Sequence, residues 1–381
     1  MLNFDLTPDE FRAECFEQKP RHFRGALVDR PIAWSDIDRL LHFLTPGLPV
    51  MRMFHQGQVP DHSYTQEYTE LGRTRRRLDK ARFYEYLGSG ATLQINWLEQ
   101  HLIPAKRLCL EVGRFAGTPT SGNAYMSFSG AGSFGKHWDT HDVFVIQLIG
   151  RKRWQIYSPT FPLPLTYQTN DRSGHTCPEE PAVDLVLEEG DVMYVPRGWW
   201  HHVVPLDIGS FHLSVGSYPP NLFDYIVQTS AKYLEQQVGA RRSFSTASYR
   251  QAVTELLQQL PAVLLDPANA ASFERDWASR ERMDAEFTLA ALDSVASRLP
   301  GDAILSLTTC RSPALEDGTL LVNGKQLGLD AVNQAIVAAL RNVAHLSFDE
   351  ICARLPDTAR DVLQGAVLDL ARHDIVTIQP Q

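Results

Sequence analysis

The sequence has few of the features that define several protein classes. Its 381 residues contain five cysteines, which are widely separated and include no Cys-x-x-Cys pair. This spacing argues against a disulfide framework or a zinc ribbon. No apolar run approaches the roughly 20 residues of a membrane helix. The N-terminus lacks the basic start and apolar core of a signal peptide. We therefore expect a cytoplasmic protein with no membrane segment.

Positive charge is also scarce. The chain has 36 lysines and arginines against 45 aspartates and glutamates, which gives a net charge of -9. This balance disfavours general nucleic-acid binding, although it leaves room for one local basic face. The stretch 72–82 is such an exception, with six cations. Its simplest interpretation is a solvated helix face or loop. The alternative is a contact with an acidic or RNA-bearing partner.

The length and the residue patterns predict several structural units. A chain of this length exceeds one ordinary core, so two or three units are expected. From about 124 to 216 short β-rich runs alternate with glycine and proline, which predicts a barrel or jelly roll. Helical patterns occupy the rest, at 7–17, 35–44, 222–234, 252–260 and 287–299. The last segment predicts a strand at 318–322, helices at 331–340, 348–355 and 359–372, and a strand at 375–378, an order that resembles a winged helix.

The first half of a possible metal site is the triplet His137-Trp138-Asp139. It follows a glycine-rich loop and precedes the apolar run 143–148, a candidate buried strand. In an extended segment the side chains of His137 and Asp139, two residues apart, point to the same side. A His-x-Asp triplet alone is weak evidence, so the interpretation depends on a second half elsewhere in the chain.

That second half is the segment 190–202, in which a strand ends at Pro196, turns, and returns with His201 and His202. In a rolled sheet this hairpin can place a histidine beside His137. Two imidazoles and one carboxylate on one side of a metal form the facial triad of iron(II) oxygenases. The alternative is that these histidines are ordinary polar residues at strand ends. Because adjacent strand residues face opposite sides, only one of His201 and His202 can be the ligand, and the pattern alone leaves that choice open.

These motifs resemble the JmjC branch of the 2-oxoglutarate oxygenases, and more closely the ribosomal oxygenases, which hydroxylate ribosomal proteins. The segments that carry the resemblance are 123–129, 137–139, 143–154 and 190–201. It extends more weakly to the opening segment, to the helices after the barrel and to the terminal segment. In that family the third metal ligand is the histidine after a Pro-x-Gly-x-x turn, which here is His201.

The resemblance implies a mainly β catalytic core, a double-stranded β-helix or jelly-roll, cupin-like JmjC barrel, with an added α-helical region and a C-terminal winged helix. The implied domains are a catalytic domain at 1–220 with its core barrel at about 96–220, a helical dimerisation region at 221–300, and a winged-helix-like domain at 301–381.

The resemblance also implies the cofactors and their contacts. Iron(II) is bound by the catalytic residues His137, Asp139 and His201, with 2-oxoglutarate as co-substrate and O2 as oxidant. Lys152 binds the far carboxylate of 2-oxoglutarate, and Ser129 or Tyr125 adds a hydroxyl. His212 also faces the cofactor and is a further candidate contact, although a structural role is its simpler interpretation.

The implied function is a 2-oxoglutarate-dependent protein hydroxylase that acts on a side chain of a ribosomal protein and forms a homodimer. A demethylase would use the same iron chemistry. The alternatives are a peptide or small-molecule oxygenase with the same metal site, and a non-catalytic regulator made of a cupin and a winged helix. Direct DNA binding is not expected, because residues 320–381 contain five lysines and arginines against seven acids.

Overall fold

The computed structural model describes residues 1–44, 46, 49–130, 132–206, 208–282, 284–287, 289, 298–309, 318–341 and 343–379. These residues form two compact units, Met1–Tyr218 and Pro219–Gln381. Within the described ranges, no helix is both long and apolar enough to span a membrane.

The first unit is built mainly of antiparallel strands. Its strands are β1 (Arg21–Phe23), β2 (Met51–Phe54), β3 (Gln58–Val59), β4 (Thr65–Glu70), β5 (Arg73–Leu78), β6 (Thr92–Ile95), β7 (Thr120–Ser127), β8 (Asp142–Ile149), β9 (Lys152–Tyr157), β10 (Val183–Leu187), β11 (Val192–Val195), β12 (Trp200–Pro205) and β13 (Ser210–Ser217). Its helices are α1 (Pro8–Glu14), α2 (Trp34–Phe43), α3 (Lys80–Gly88), α4 (Ile103–Ala116) and α5 (Asn170–Ser173), with 3-10 turns at Asp61–Ser63 and Leu98–Gln100.

Two sheets make up the barrel-like core. The larger has the strand order β1-β11-β8-β13-β7-β6-β2-β3, and the smaller has the order β10-β9-β12. Side chains of both sheets share one apolar cluster, in which Val143 and Val145 of β8 meet Trp154 and Ile156 of β9. The predicted β-rich region between 124 and 216 is thus confirmed.

Strand β8 explains how the larger sheet is covered on both faces. Successive side chains of a strand point to opposite faces. Val143 and Val145 face the smaller sheet, whereas Phe144 and Ile146 belong to a separate core formed with the helices. Since both faces are buried, the strand is a continuous apolar run rather than an alternating one.

Helix α1 shows how the sequence sets an element boundary. The Thr7 side chain accepts a hydrogen bond from the Glu10 backbone, and the Glu10 carboxylate accepts one from the Thr7 backbone N–H at 2.8 Å. This reciprocal arrangement satisfies N–H groups that the first helical turn leaves unpaired. The predicted helices at 7–17 and 35–44 are confirmed as α1 and α2.

The basic stretch corrects one expectation. Residues Arg73–Leu78 form strand β5, which pairs with β4 as an exposed hairpin, and α3 begins at Lys80. The prediction of a solvated helix face or loop is therefore wrong for most of this stretch. Its arginines are not spaced for one helix face; alternate residues lie on the same side of the strand.

The second unit contains α6 (Leu222–Leu234), α7 (Val238–Arg241), α8 (Tyr249–Leu265), α9 (Pro267–Ala278), β14 (Ile304–Leu307), β15 (Thr319–Val322), β16 (Lys325–Gly328), α10 (Ala331–Leu340), β17 (Leu346–Ser347), α11 (Phe348–Arg354), α12 (Arg360–Arg372) and β18 (Val376–Gln379). Strands β17, β14 and β18 form one small sheet in that order, and α10, α11 and α12 share an apolar core with it. Residues 288 and 290–297 of the predicted helix at 287–299 lie outside the described residues. The winged helix and the boundary near residue 300 stay predictions.

Candidate metal centre

The two predicted ligand segments are joined through their backbones. The His137 N–H donates to the His201 carbonyl at 3.1 Å, and the His201 N–H donates to the His137 carbonyl at 2.7 Å. This isolated antiparallel bridge lies outside the regular strands. It places the two histidines directly opposite each other, as the hairpin argument predicted.

A tight turn holds the third member of the cluster. The Gly198 N–H donates to the Asp139 carbonyl at 3.0 Å. Gly198 has a φ of +82°, and a Cβ there would lie 2.6 Å from the Phe161 carbonyl oxygen. Only glycine fits this position without displacing the backbone, so the Pro-x-Gly turn is required for the approach of Asp139 to His201.

The side chains of His137, Asp139 and His201 converge. Each offers one ligand atom, and these atoms all lie within 4.8 Å of one another. Asp139 Oδ2 is 3.6 Å from His201 Nε2. Two imidazoles and one carboxylate in this arrangement fit an iron(II) ion bound on one face.

Backbone carbonyls orient both imidazoles. His137 Nδ1 lies 3.2 Å from the Gly135 carbonyl, and His201 Nδ1 lies 3.2 Å from the Trp199 carbonyl. With Nδ1–H donating to these oxygens, the Nε2 lone pair of each ring is free for a metal.

His202, the rival ligand, lies on the other side of β12. Its Nδ1 is 3.4 Å from Gln155 Oε1, and its ring is partly exposed, whereas His201 is buried. Because His202 is absent from the convergent cluster, the geometry favours His201.

The protonation states suit metal binding. Burial opposes ionisation of Asp139, but His201, His141 and His137 together lower the pKa of its carboxyl. Burial, assisted by His137, lowers the pKa of His201 to about 4 against the opposing effect of Asp139. A carboxylate and a neutral imidazole at neutral pH are the forms that coordinate metals.

The cluster opens into a cavity of about 290 Å³ between the sheets. Lys152 on β9 reaches this cavity with a side chain that is only 2% exposed. Asp139 is the one acidic residue among the described residues that line it. Lys152 Nζ lies 3.3 Å from His212 Nδ1, and burial lowers the pKa of the lysine to about 7. A buried cation with a neutral neighbour is suited to an anionic ligand, such as a carboxylate.

Tyr125 and His212 form one wall of the same cavity. Their rings stack with centroids 5.1 Å apart. Burial and the neighbouring Lys152 lower the pKa of His212 well below its usual value, so the ring is neutral and accepts a hydrogen bond from Lys152. Burial and Asp139 raise the pKa of Tyr125, which keeps its hydroxyl protonated.

Ser129 does not reach the cavity, contrary to expectation. It follows the end of β7, and its hydroxyl donates to the Gly88 carbonyl at 3.3 Å. The hydroxyl groups that line the cavity belong to Tyr125, Thr92, Ser133 and Ser214.

Besides Thr92, Ser133 and Ser214, three further polar residues of the cavity were not predicted from the sequence. Asn123 lies two residues before Tyr125 on β7, so the period of a strand could have identified it. Gln94 lies opposite Tyr125 through the pairing of β6 with β7, which only the tertiary structure shows. His141 lines the cavity near Asp139 and stacks on Tyr218 at 5.0 Å.

Comparison with known families agrees with this geometry. Residues 97–225 match the sequence model of the JmjC domain. This part of the chain is similar to the JmjC domain. The matched range of the JmjC domain includes the three convergent side chains, Lys152 and His212.

Curated relatives match part of the chain. The bifunctional lysine-specific demethylase and histidyl-hydroxylase NO66 of Drosophila persimilis is 32% identical over 130 residues, which are 34% of this chain and 19% of that protein. Ribosomal oxygenase 2 of Rattus norvegicus is 33% identical over 144 residues, 36% of this chain and 30% of that protein. The chain thus spans less than a third of the length of these relatives.

A solved structure matches over the whole length. YcfD, a ribosomal oxygenase from Escherichia coli solved in complex with cobalt and 2-oxoglutarate, aligns with a TM-score of 0.59 and covers 100% of both chains at 17% identity. At this identity the likeness shows a shared fold. The predicted resemblance to JmjC ribosomal oxygenases is confirmed.

Proposed function

We propose that the protein is an iron(II)- and 2-oxoglutarate-dependent oxygenase. The observation that carries the proposal is that one cavity contains both a convergent His-Asp-His cluster and a buried lysine with no carboxylate partner among the described residues. The first feature suits a metal with open positions, and the second suits a metal-bound ligand that also carries a free carboxylate.

The metal and the co-substrate would be bound by different residues of the cavity. His137, Asp139 and His201 would hold iron(II), and Lys152 would hold the far carboxylate of 2-oxoglutarate. When bound, iron(II) and 2-oxoglutarate supply the chemistry that places one oxygen atom of O2 on a C–H bond while 2-oxoglutarate becomes succinate and carbon dioxide.

Apolar side chains in the cavity wall favour charge pairing inside the cavity. The apolar side chains of Val143, Val145, Trp154, Val195 and Val203 line the cavity. Beside these side chains the local dielectric is low, which strengthens the attraction between Lys152 and a carboxylate. The neutral His212 ring holds the Lys152 ammonium in place without competing for the ligand as an anion would.

The substrate we propose is a side chain of a ribosomal protein in the cytoplasm. Support comes from the similarity to ribosomal oxygenase 2 and from the likeness in fold to YcfD along the entire chain. The net charge of -9 adds a physical argument, since an acidic enzyme attracts basic ribosomal proteins. The domain organisation and the winged helix at 301–381 belong to the same proposal.

A homodimer built on the helices of the second unit is also proposed. Apolar side chains on α6 and α8 are exposed, among them Leu222, Ile226 and Val227 on α6 and Leu257 and Leu265 on α8. Soluble monomers rarely expose so many large apolar side chains on neighbouring helices. Pairing with a second copy would bury them.

The test has two stages. Purified protein supplied with iron(II) should convert 2-oxoglutarate to succinate, and Asp139→Ala should not. Ribosomal proteins from a strain that lacks the gene are then compared by intact mass with those of the parent strain. One protein should lack one oxygen atom in the deletion. An extra methylene group there would indicate demethylation instead, and equal masses for all ribosomal proteins would exclude a ribosomal substrate.

A further inference from the structure

A second concave surface lies in the first unit, apart from the metal centre. It is a groove of about 1640 Å³ formed by α2, the β4–β5 hairpin, α3 and the end of β7. Met126 and Phe128 line this groove, whereas Tyr125 lines the metal cavity. Because successive residues of a strand face opposite sides, the groove lies on the other side of β7 from the metal centre.

Positively charged side chains outnumber negatively charged ones in the groove, whereas the opposite holds for the whole chain. Its described lining residues include five cations, Arg73, Arg75, Arg76, Arg77 and Lys80, and one carboxylate, Asp38. The whole chain has 36 lysines and arginines against 45 acids. A cluster of cations of this kind in an acidic protein indicates a negatively charged ligand.

Acidic residues of the hairpin neutralise only part of this charge. Arg75 pairs with Glu70, and Arg76 pairs with Glu67, each at 3.0 Å. Within the described part of the chain, no ion pair involves Arg73, Arg77 or Lys80. These cations are solvent-exposed and available to a ligand.

The hairpin register arranges the arginines in a row. Arg73, Arg75 and Arg77 alternate along β5 and so share one face, at intervals of about 7 Å. On the same face, the Arg77 guanidinium lies 5.2 Å from the centre of the Tyr68 ring, which pairs across from Arg75. A row of evenly spaced cations suits a chain with evenly spaced negative charges.

Exposed aromatic rings in the groove favour a nucleic acid over an acidic peptide as the negatively charged ligand. Phe43 is 83% exposed and Tyr84 is 65% exposed, and both line the groove. Phe128 also lines it and is stacked on Trp34, with ring centroids 5.3 Å apart. Cations along a groove combined with exposed aromatic faces are typical of sites that bind phosphates and stack unpaired bases. An acidic peptide would use the cations but would gain little from flat ring faces.

We propose that this groove binds a single-stranded nucleic acid, with arginines of β5 on the phosphates and the rings of Phe43 and Tyr84 against the bases. The inference uses no residue of the metal centre and does not depend on the proposed oxygenase function. For an enzyme that acts on ribosomal proteins, such a groove would hold nearby RNA while the metal cavity receives the protein side chain.

The test uses the full-length protein in metal-free buffer. Fluorescence anisotropy is measured with a labelled single-stranded RNA of about 12 nucleotides, within the site sizes of such proteins. Single-stranded DNA and duplex RNA of the same sequence are measured in parallel. We expect a micromolar Kd at low salt. The logarithm of the affinity should fall linearly with that of the salt concentration, by about 0.7 per contacted phosphate.

Two double variants test the arginines and the aromatic rings of the groove separately. Arg73→Gln/Arg77→Gln should weaken binding about tenfold or more at low salt and reduce the salt slope by about 1.4, the value for two lost phosphate contacts. Phe43→Ala/Tyr84→Ala should weaken binding about tenfold with little change in slope, because stacking involves no counterion release.

The matched control is Arg24→Gln/Arg354→Gln, which removes the same charge from exposed arginines outside the groove. Circular dichroism verifies that all variants are folded. The proposal is overturned if RNA does not bind, if the control weakens binding as much as the groove variant, or if duplex RNA binds more tightly. Equal binding of a polyglutamate peptide would overturn it in favour of an acidic protein partner. Equal binding of RNA and DNA supports it, because the residues involved contact phosphates and bases.

Discussion

Replacing Lys152 with methionine should raise the stability of the fold and lower the affinity for 2-oxoglutarate. Burial lowers the pKa of Lys152 from 10.5 to about 7, a difference of about 3.5 pKa units. At about 1.36 kcal/mol per unit, burying this ammonium destabilises the fold by at most about 5 kcal/mol. Methionine fills similar space without the charge. It leaves His212 Nδ1 without its 3.3 Å partner, which offsets about 1–3 kcal/mol of the gain.

The pH dependence identifies the source of this gain. In the unfolded chain the lysine keeps its proton up to about pH 10.5, and in the folded protein only up to about pH 7. The destabilisation is therefore fully present below about pH 7 and disappears as the pH rises through this window. We expect Lys152→Met to be more stable than the wild type at pH 7 by at most about 2–4 kcal/mol. This advantage should shrink towards pH 10.

The affinity for 2-oxoglutarate should fall, because the far carboxylate would lose its charge partner. Loss of a buried charge partner costs about 2–5 kcal/mol, or roughly 30-fold to several thousand-fold in Kd. Urea unfolding of the metal-free protein measures the stability. Calorimetric titration with 2-oxoglutarate in the presence of Mn²⁺ measures the affinity without turnover. The exposed Lys19→Met is the control and should change neither. The reasoning is refuted if Lys152→Met retains wild-type affinity, or if it is less stable than the wild type at pH 7.

Three further predictions concern the metal, a buried acid and the dimer. His201→Ala should abolish high-affinity metal binding while His202→Ala retains it, as measured by metal content after dialysis; the reverse result would reassign the ligand. Burial raises the pKa of Asp142 to about 7. Its protonated form therefore contributes stability that is lost as the pH rises from about 4 to about 7, so Asp142→Asn should gain stability over the wild type, by up to about 4 kcal/mol at pH 8. Urea unfolding at two pH values checks this, and a gain independent of pH would contradict it. Leu222→Asp/Leu257→Asp should convert a dimer to a monomer in light scattering, whereas a monomeric wild type would remove the dimer proposal.

The sequence predicted the parts of the site that depend on local order. His137 and Asp139 share a side because they are two residues apart on an extended segment, and the Pro-x-Gly turn returns the chain towards them. The choice of His201 over His202 came from family resemblance, because alternation states only that one of the two points inwards. The structure supplies the physical reason, which is the backbone bridge to His137.

Other features depend on pairing between strands, which a local sequence pattern does not reveal. Gln94 enters the cavity because β6 lies beside β7, far away in the sequence. The arginine stretch was misread because a run of cations has no apolar period to identify its secondary structure. Its strand conformation follows from pairing with β4 rather than from its own composition.

The bridge between His137 and His201 has a consequence for how such a protein can evolve. The chain between these two residues contains a long connection at 158–182, from β9 to β10. The two mutual backbone hydrogen bonds set the separation of the histidines, whatever the length of that connection. Changes in this connection that preserve the contacts of Thr160 and Phe161 with the ligand hairpin therefore leave the spacing of the ligands unaltered.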